Sequence, residues 1–80
     1  MTLSRETIRY SIDTMTAEIV EKLALYNNLT LTDALKQFMK TKTFDLLCDP
    51  ESFLYLESVE YVYDMLDAEK EGDMERWLEV

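Results

Sequence analysis

The chain has 80 residues, of which 48% are hydrophobic, enough for one small core and a single domain over residues 1–80. One glycine and one proline supply little turn chemistry for a multi-stranded sheet, whereas the plentiful Leu, Glu, Lys, Met and Ala favour helices. The composition therefore excludes a large multidomain protein and predicts an all-α fold.

The formal charge of −9 is concentrated in the C-terminal half. Residues 1–44 carry six basic and five acidic groups, whereas residues 45–80 carry two basic and twelve acidic groups. Phosphate backbones and anionic lipid surfaces repel such a chain, so we expect neither nucleic-acid nor membrane binding. The expected partner is another protein with a basic surface.

The sequence also indicates a cytoplasmic location. No apolar run approaches the roughly 18–20 residues that span a bilayer, and no apolar signal-peptide stretch follows the opening MTLSRET. Cys48 is the single cysteine, so no intramolecular disulfide can form.

Apolar residues at spacings of three and four predict a long first helix over residues 3–27. They are Ile8, Ile12, Met15, Ile19 and Leu23. Thr2 or Ser4 caps its start, and Asn27-Asn28 ends it. At about 1.5 Å per residue this helix is long for a small globule, so we expect part of it either to protrude or to pair with a second copy. The second alternative predicts a homodimer through this helix.

A second helix is predicted over residues 31–41, with Thr30 as its N-cap. Its apolar stripe is Leu31, Ala34, Leu35, Phe38 and Met39. Thr41 or Thr43 either continues this helix or starts a separate helical turn near 44–48, and two threonines in three residues favour the separate turn.

Asp49-Pro50 ends that turn, because proline pushes the preceding residue out of the α region. Phe53–Leu56 is either a buried extended crossing or a strand-like segment, and we interpret it as an ordered loop. Ser58 caps the third main helix, over residues 58–71, and Gly72 ends it. A short helical turn is predicted at 74–79.

No catalytic or metal-binding pattern is present in the sequence. The chain has no histidine, so Ser-His and Cys-His nucleophiles are both absent. Zinc sites use Cys and His, calcium loops need alternating acidic ligands with a glycine, and neither pattern occurs. We therefore expect neither an enzyme nor a cofactor.

The candidate partner-binding residues are tyrosines, a tryptophan and carboxylates of the acidic half: Tyr55, Glu57, Glu60, Tyr61, Asp64, Asp67 and Trp77. Aromatic residues that can bury area and donate hydrogen bonds are typical of interface centres. A small core needs aromatic residues as well, so core and interface both stay open for Tyr55 and Tyr61.

The run ALKQFMKTKTFDLLCDPESFLYLESVEYVYDML resembles a group of short, acidic, all-helical bacterial proteins of uncharacterised function. The resemblance covers residues 30–67, and it rests on Ala34, Leu35, Phe38, Thr43, Phe44, Leu47, Asp49, Pro50, Glu51, Leu54, Tyr55, Ser58, Tyr61 and Tyr63. Such proteins look like companions in toxin–antitoxin-type gene pairs, which implies an antitoxin-like role. Where the group tends to have glycine after the Asp-Pro-Glu turn, this chain has Phe53.

We therefore expect a non-enzymatic protein-interaction module, an antitoxin-like or regulatory companion that binds a basic protein surface through its acidic C-terminal half. The alternative is a small dimeric DNA-binding transcriptional regulator that uses the second helix. The fold expected for both is a single-core helical domain with three main helices and two short helical turns.

Overall fold

The computed structural model describes residues 4–72, and every regular element among them is helical. The elements, in chain order, are α1 (Arg5–Asn27), α2 (Leu31–Met39), α3 (Lys42–Cys48), two 3₁₀ turns (Pro50–Ser52 and Leu54–Leu56) and α4 (Val59–Lys70). The all-α prediction is confirmed for this part of the chain. Within residues 4–72, four α-helices take the place of the three predicted main helices, because residues 42–48 form a helix of two turns. The predicted turn at 74–79 lies outside the described residues.

Hydroxyl caps set the starts of α1, α2 and α4 as the sequence indicated. The Ser4 hydroxyl accepts from the backbone N–H of Thr7 at 3.1 Å, Thr30 accepts from Asp33 at 3.1 Å, and Ser58 accepts from Tyr61 at 3.1 Å. Each cap satisfies an N–H that has no partner within its helix. Short-range chemistry alone therefore fixes where these helices begin.

Thr41 separates α3 from α2. Its hydroxyl donates to the carbonyl of Phe38 at the end of α2 and accepts from the N–H of Phe44 in the first turn of α3. Its backbone is extended, at φ −91° and ψ 156°. One side chain thus ends one helix and starts the next, which confirms the separate helix.

Left-handed residues end α1 and follow α4. Asn28 closes α1 at φ 54° and ψ 47°, and Gly72 follows α4 at φ 79°. Asparagine and glycine enter this region at low cost, so both ends lie where the sequence placed them.

The segment after Asp49 is not an extended crossing. Asp49 leaves the helical region, as expected before Pro50, and its carboxylate accepts from the N–H of Glu51 at 3.0 Å. This contact starts the first 3₁₀ turn, and Phe53, at φ 58°, directs the chain into the second. A capped proline turn favours a tight helical path, because proline suits the first position of a helix.

The core lies where α1 meets α2, α4 and the second 3₁₀ turn. The most deeply buried side chains come from all four helices and include Ile19, Leu23, Phe38, Leu47, Val62 and Leu66. The apolar stripe of α1 is therefore covered by its own chain. Within residues 4–72, no helix combines the length and apolarity needed to cross a bilayer.

Only part of the predicted stripe of α2 is buried. Ala34 and Phe38 lie in the core, whereas Leu31, Leu35 and Met39 expose 59%, 39% and 53% of their surface. The apolar arc of α2 is wider than the surface that α1 and α3 present to it. Only two of the five side chains of the predicted stripe therefore reach the core.

Candidate partner-binding surface

Four carboxylates form an exposed row along α4 and its C-cap. Glu60, Asp64, Asp67 and Glu71 follow one another at spacings of four, three and four, which places them on one helical face. All four are exposed, and the buried face of α4 is formed by Val62, Tyr63 and Leu66 among others. We call these four residues the acidic stripe.

The acidic stripe costs helix stability. Like charges three or four positions apart repel each other by about 0.2–0.5 kcal/mol per pair. Asp67 and Glu71 also lie towards the C-terminal end of α4, where the helix dipole disfavours negative charge. Lys70 is the one basic residue of α4, and the stripe itself contains none. A cationic surface placed against the stripe would relieve this repulsion.

Tyr61 lies beside the acidic stripe and exposes 38% of its surface. It is one helical turn from Asp64, and Glu57, also exposed, precedes the N-cap of the same helix. Tyr61, Glu57 and the predicted members of the stripe therefore form one continuous surface.

One of the predicted site residues, Tyr55, does not belong to this exposed surface. Tyr55 exposes only 9% of its area and packs in the core, next to the ring of Phe53. Its position in the second 3₁₀ turn directs it inwards, which settles the core or interface alternative for this residue. Trp77 lies outside the described residues.

Tyr26 borders the other side of the stripe. Its exposed ring packs edge-on against the buried Tyr63 ring, with centroids 5.7 Å apart, and the Lys22 ammonium lies 5.6 Å from its centroid. Tyr63 lies close to Asp67: burial, followed by this carboxylate, raises the pKa of the Tyr63 phenol, and a hydrogen bond with Asn27 opposes the rise. The phenol therefore stays neutral at physiological pH.

Sequence reasoning missed Tyr26 because it lies in the last turn of α1, far along the chain from the acidic half. One sequence signal was available: Tyr26 directly precedes two asparagines at the predicted end of the helix. A side chain at a helix end can have one side that no neighbouring element covers. Only the packing of α1 on α4 brings this ring to the edge of the stripe.

The single thiol, Cys48, has two acidic residues nearby. Cys48 is exposed for the most part. The part of it that is buried raises the pKa of its thiol, and the charges of Asp45 and Asp13 raise it further. A raised pKa keeps the group a thiol at neutral pH, and the thiolate is the nucleophilic form. No cluster of three or more Cys, Asp or Glu suited to a metal ion occurs between residues 4 and 72.

α2 presents a mixed surface to solvent. Lys36 and Lys40 are exposed along one edge of the row formed by Leu31, Leu35 and Met39. A helix that reads DNA would place polar side chains against base edges in the groove. Three exposed apolar side chains in a row do not favour the DNA-binding alternative.

The chain matches no family model, no curated protein and no solved structure. The resemblance to small antitoxin-like companions therefore stays a prediction, and the acidic stripe is the feature from which a function is inferred.

Proposed function

We propose that this protein is a non-enzymatic interaction module whose acidic stripe binds a basic surface of another protein. The observation that carries the proposal is the alignment of Glu60, Asp64, Asp67 and Glu71 on one exposed face of α4. In the absence of a partner, the repulsion between neighbouring carboxylates of the stripe lowers the stability of their own helix. A basic partner converts that repulsion into attraction.

The charges and the aromatic rings of this surface have different roles. The acidic stripe steers a basic protein towards α4 and raises the association rate, an effect that falls with ionic strength. Tyr61 on one side and Tyr26 on the other supply area that can be desolvated in the complex. Aromatic side chains of this kind often dominate the binding free energy of an interface.

We further propose the setting of this interaction: a bacterial, cytoplasmic, antitoxin-like or regulatory companion that masks a functional basic surface of its partner. The resemblance over residues 30–67 supports this setting, and so does the concentration of negative charge in residues 45–80. The acidic half would act by occupying the basic surface rather than by chemistry.

Purification of the tagged chain from its native host at low salt tests the proposed function. We expect a basic protein, the product of the neighbouring gene, to co-elute and to dissociate as the salt concentration rises. A chain that elutes alone at low salt would contradict the proposal.

A homodimer through α1 is a separate proposal. The inner face of α1 is buried in its own core, so a dimer would use the outer face, which exposes Tyr10 and Leu25. Light scattering at high protein concentration should give twice the chain mass of 9.5 kDa. A mass that stays at the monomer value would exclude the dimer.

A further inference from the structure

A groove of about 700 Å³ lies between the first turns of α1 and the junction of α3 with the first 3₁₀ turn. Its lining residues come from 5–13 and 48–50, so it shares no residue with the acidic stripe. Its size falls in the range of small-molecule sites, which is roughly 300–1,000 Å³.

The groove has apolar surface along its length. Ile12 is buried and Ile8 is half-buried, and they lie one turn apart on α1. Cys48 and Pro50 form the opposite side, and both are exposed. The Cys48 side chain adds to the apolar surface as a neutral thiol. Such a groove can remove an apolar chain from water.

Both arginines of the described part of the chain line this groove. Arg5 and Arg9 lie one turn apart on the same side of α1, and both are exposed. Guanidinium groups bind carboxylates through two parallel hydrogen bonds, which a lysine cannot reproduce. Arg5 lies in the first turn of α1, where a positive charge opposes the helix dipole and gives the helix no stability.

The charge of the groove selects a single negative charge. Asp13 also lines the groove, one turn beyond Arg9, so two positive groups face one carboxylate. The described lining residues therefore carry a net charge of +1, in a chain whose formal charge is −9. A monoanion matches this lining, whereas a dianion such as a phosphate monoester would be repelled by Asp13 and by the rest of the chain.

We propose that the groove binds a small amphipathic carboxylate, an apolar chain with one carboxylate at its end. The chain lies along Ile8, Ile12 and Pro50, and the carboxylate pairs with Arg5 and Arg9. This site does not depend on the proposed partner of α4, so either proposal can fail without the other.

Titration of the full chain with decanoate, below its micelle concentration, tests this site. Calorimetry measures the affinity, and amide chemical shifts locate the ligand. We expect saturable binding with shifts at residues 5–13 and 48–50. Decanol, which lacks the charge, and acetate, which lacks the chain, should each bind at least about tenfold more weakly, because each loses one half of the recognition.

Three variants separate the groove from a general effect of charge. The double variant Arg5→Gln/Arg9→Gln should weaken decanoate binding by about tenfold or more. The matched variant Lys36→Gln/Lys40→Gln makes the same charge change on α2 and should leave the affinity unchanged. Asp13→Asn removes the opposing carboxylate and should tighten binding by roughly threefold. All five positions are exposed, so circular dichroism should show folded proteins.

Any of four results overturns the proposal. Decanoate fails to bind, decanol binds equally well, or the chemical shifts move along α2 at residues 31–39 and leave the groove residues unaffected. An equal loss of affinity in the arginine and lysine variants would likewise show that only the overall charge matters.

Discussion

Glu69 connects α4 to the first turn of α3. Its carboxylate accepts from the backbone N–H groups of Lys42 and Thr43, at 2.9 and 2.8 Å, and from the buried Thr43 hydroxyl at 2.8 Å. Those N–H groups have no partner within α3, so a carboxylate from a distant helix acts as their cap. Thr43 is fully buried, and this contact satisfies its hydroxyl.

Replacing Glu69 with glutamine should lower the free energy of unfolding by about 1–3 kcal/mol, because the bonds to a charged acceptor are the strong ones. Glu71→Gln is the matched control, since it makes the same charge change at an exposed position that gives no hydrogen bond to α3. Urea unfolding of the two variants measures the difference. Equal stability would contradict the capping role of Glu69.

The same contact predicts a pH dependence. Partial burial works to raise the pKa of Glu69, but the hydrogen bonds from Lys42 and Thr43 outweigh it, and the pKa lies below its ordinary value. A lowered pKa in the folded state stabilises the protein fully above the pKa of the unfolded chain. The stabilisation is lost as the pH falls through the folded pKa. In an acid titration of stability, the Glu69→Gln variant should therefore not show the loss of stability that protonation of Glu69 causes.

Phe53 has a left-handed backbone, at φ 58° and ψ 17°, and its side chain is exposed. This conformation costs a non-glycine residue about 1–2 kcal/mol. Phe53→Gly should therefore be more stable than Phe53→Ala by about 1 kcal/mol, since both variants lose the ring contact with Tyr55 but only glycine relieves the backbone. Thermal unfolding of the pair tests the prediction, and an alanine variant as stable as the glycine variant would contradict it.

α2 shows how one helix divides its apolar side chains between core and solvent. Phe38 is fully buried against Phe44, with ring centroids 5.2 Å apart, whereas Leu31 is more than half exposed. We expect Phe38→Ala to lower the free energy of unfolding by about 3–5 kcal/mol. Leu31→Ala should lower it by about 0.5 kcal/mol or less. Denaturant unfolding of both variants measures this contrast. Similar losses of unfolding free energy in the two variants would contradict the exposed position of Leu31.

The elements that the sequence predicts well are those set by neighbouring residues. Ser4, Thr30, Ser58, Asn28 and Gly72 each end or begin a helix through contacts within a few positions, so the helix limits agree within two residues. Thr41 separates α3 from α2 for the same reason.

Features that depend on distant contacts were not predicted. Glu69 caps a helix 26 residues away, and the groove joins residues 5–13 to residues 48–50. The side of α2 that is buried, and the inward position of Tyr55, follow from how α1 packs on the other helices. In the candidate site the exposed carboxylates were predictable from spacing, but Tyr26 was not.

Across the whole molecule, negative charge opposes folding. The chain carries a formal charge of −9 and its acidic stripe has no basic residue within it, so salt should screen a net repulsion. Raising the salt concentration from about 20 mM to about 500 mM should raise the Tm by roughly 4–8 °C, equivalent to ~1 kcal/mol. Calorimetry measures this shift, and a Tm that is constant or falls with salt would contradict it.

The binding role of the acidic stripe is tested most directly by comparing two variants of equal charge. Asp64→Asn/Asp67→Asn neutralises the centre of the stripe, and Glu18→Gln/Glu21→Gln removes two exposed carboxylates from α1. Each tagged chain is purified from the native host at low salt, and the co-eluting basic protein is quantified. We predict that the α1 variant recovers as much of the basic protein as the wild type does. The stripe variant should recover about tenfold less of it. Equal recovery by the two variants would contradict the account.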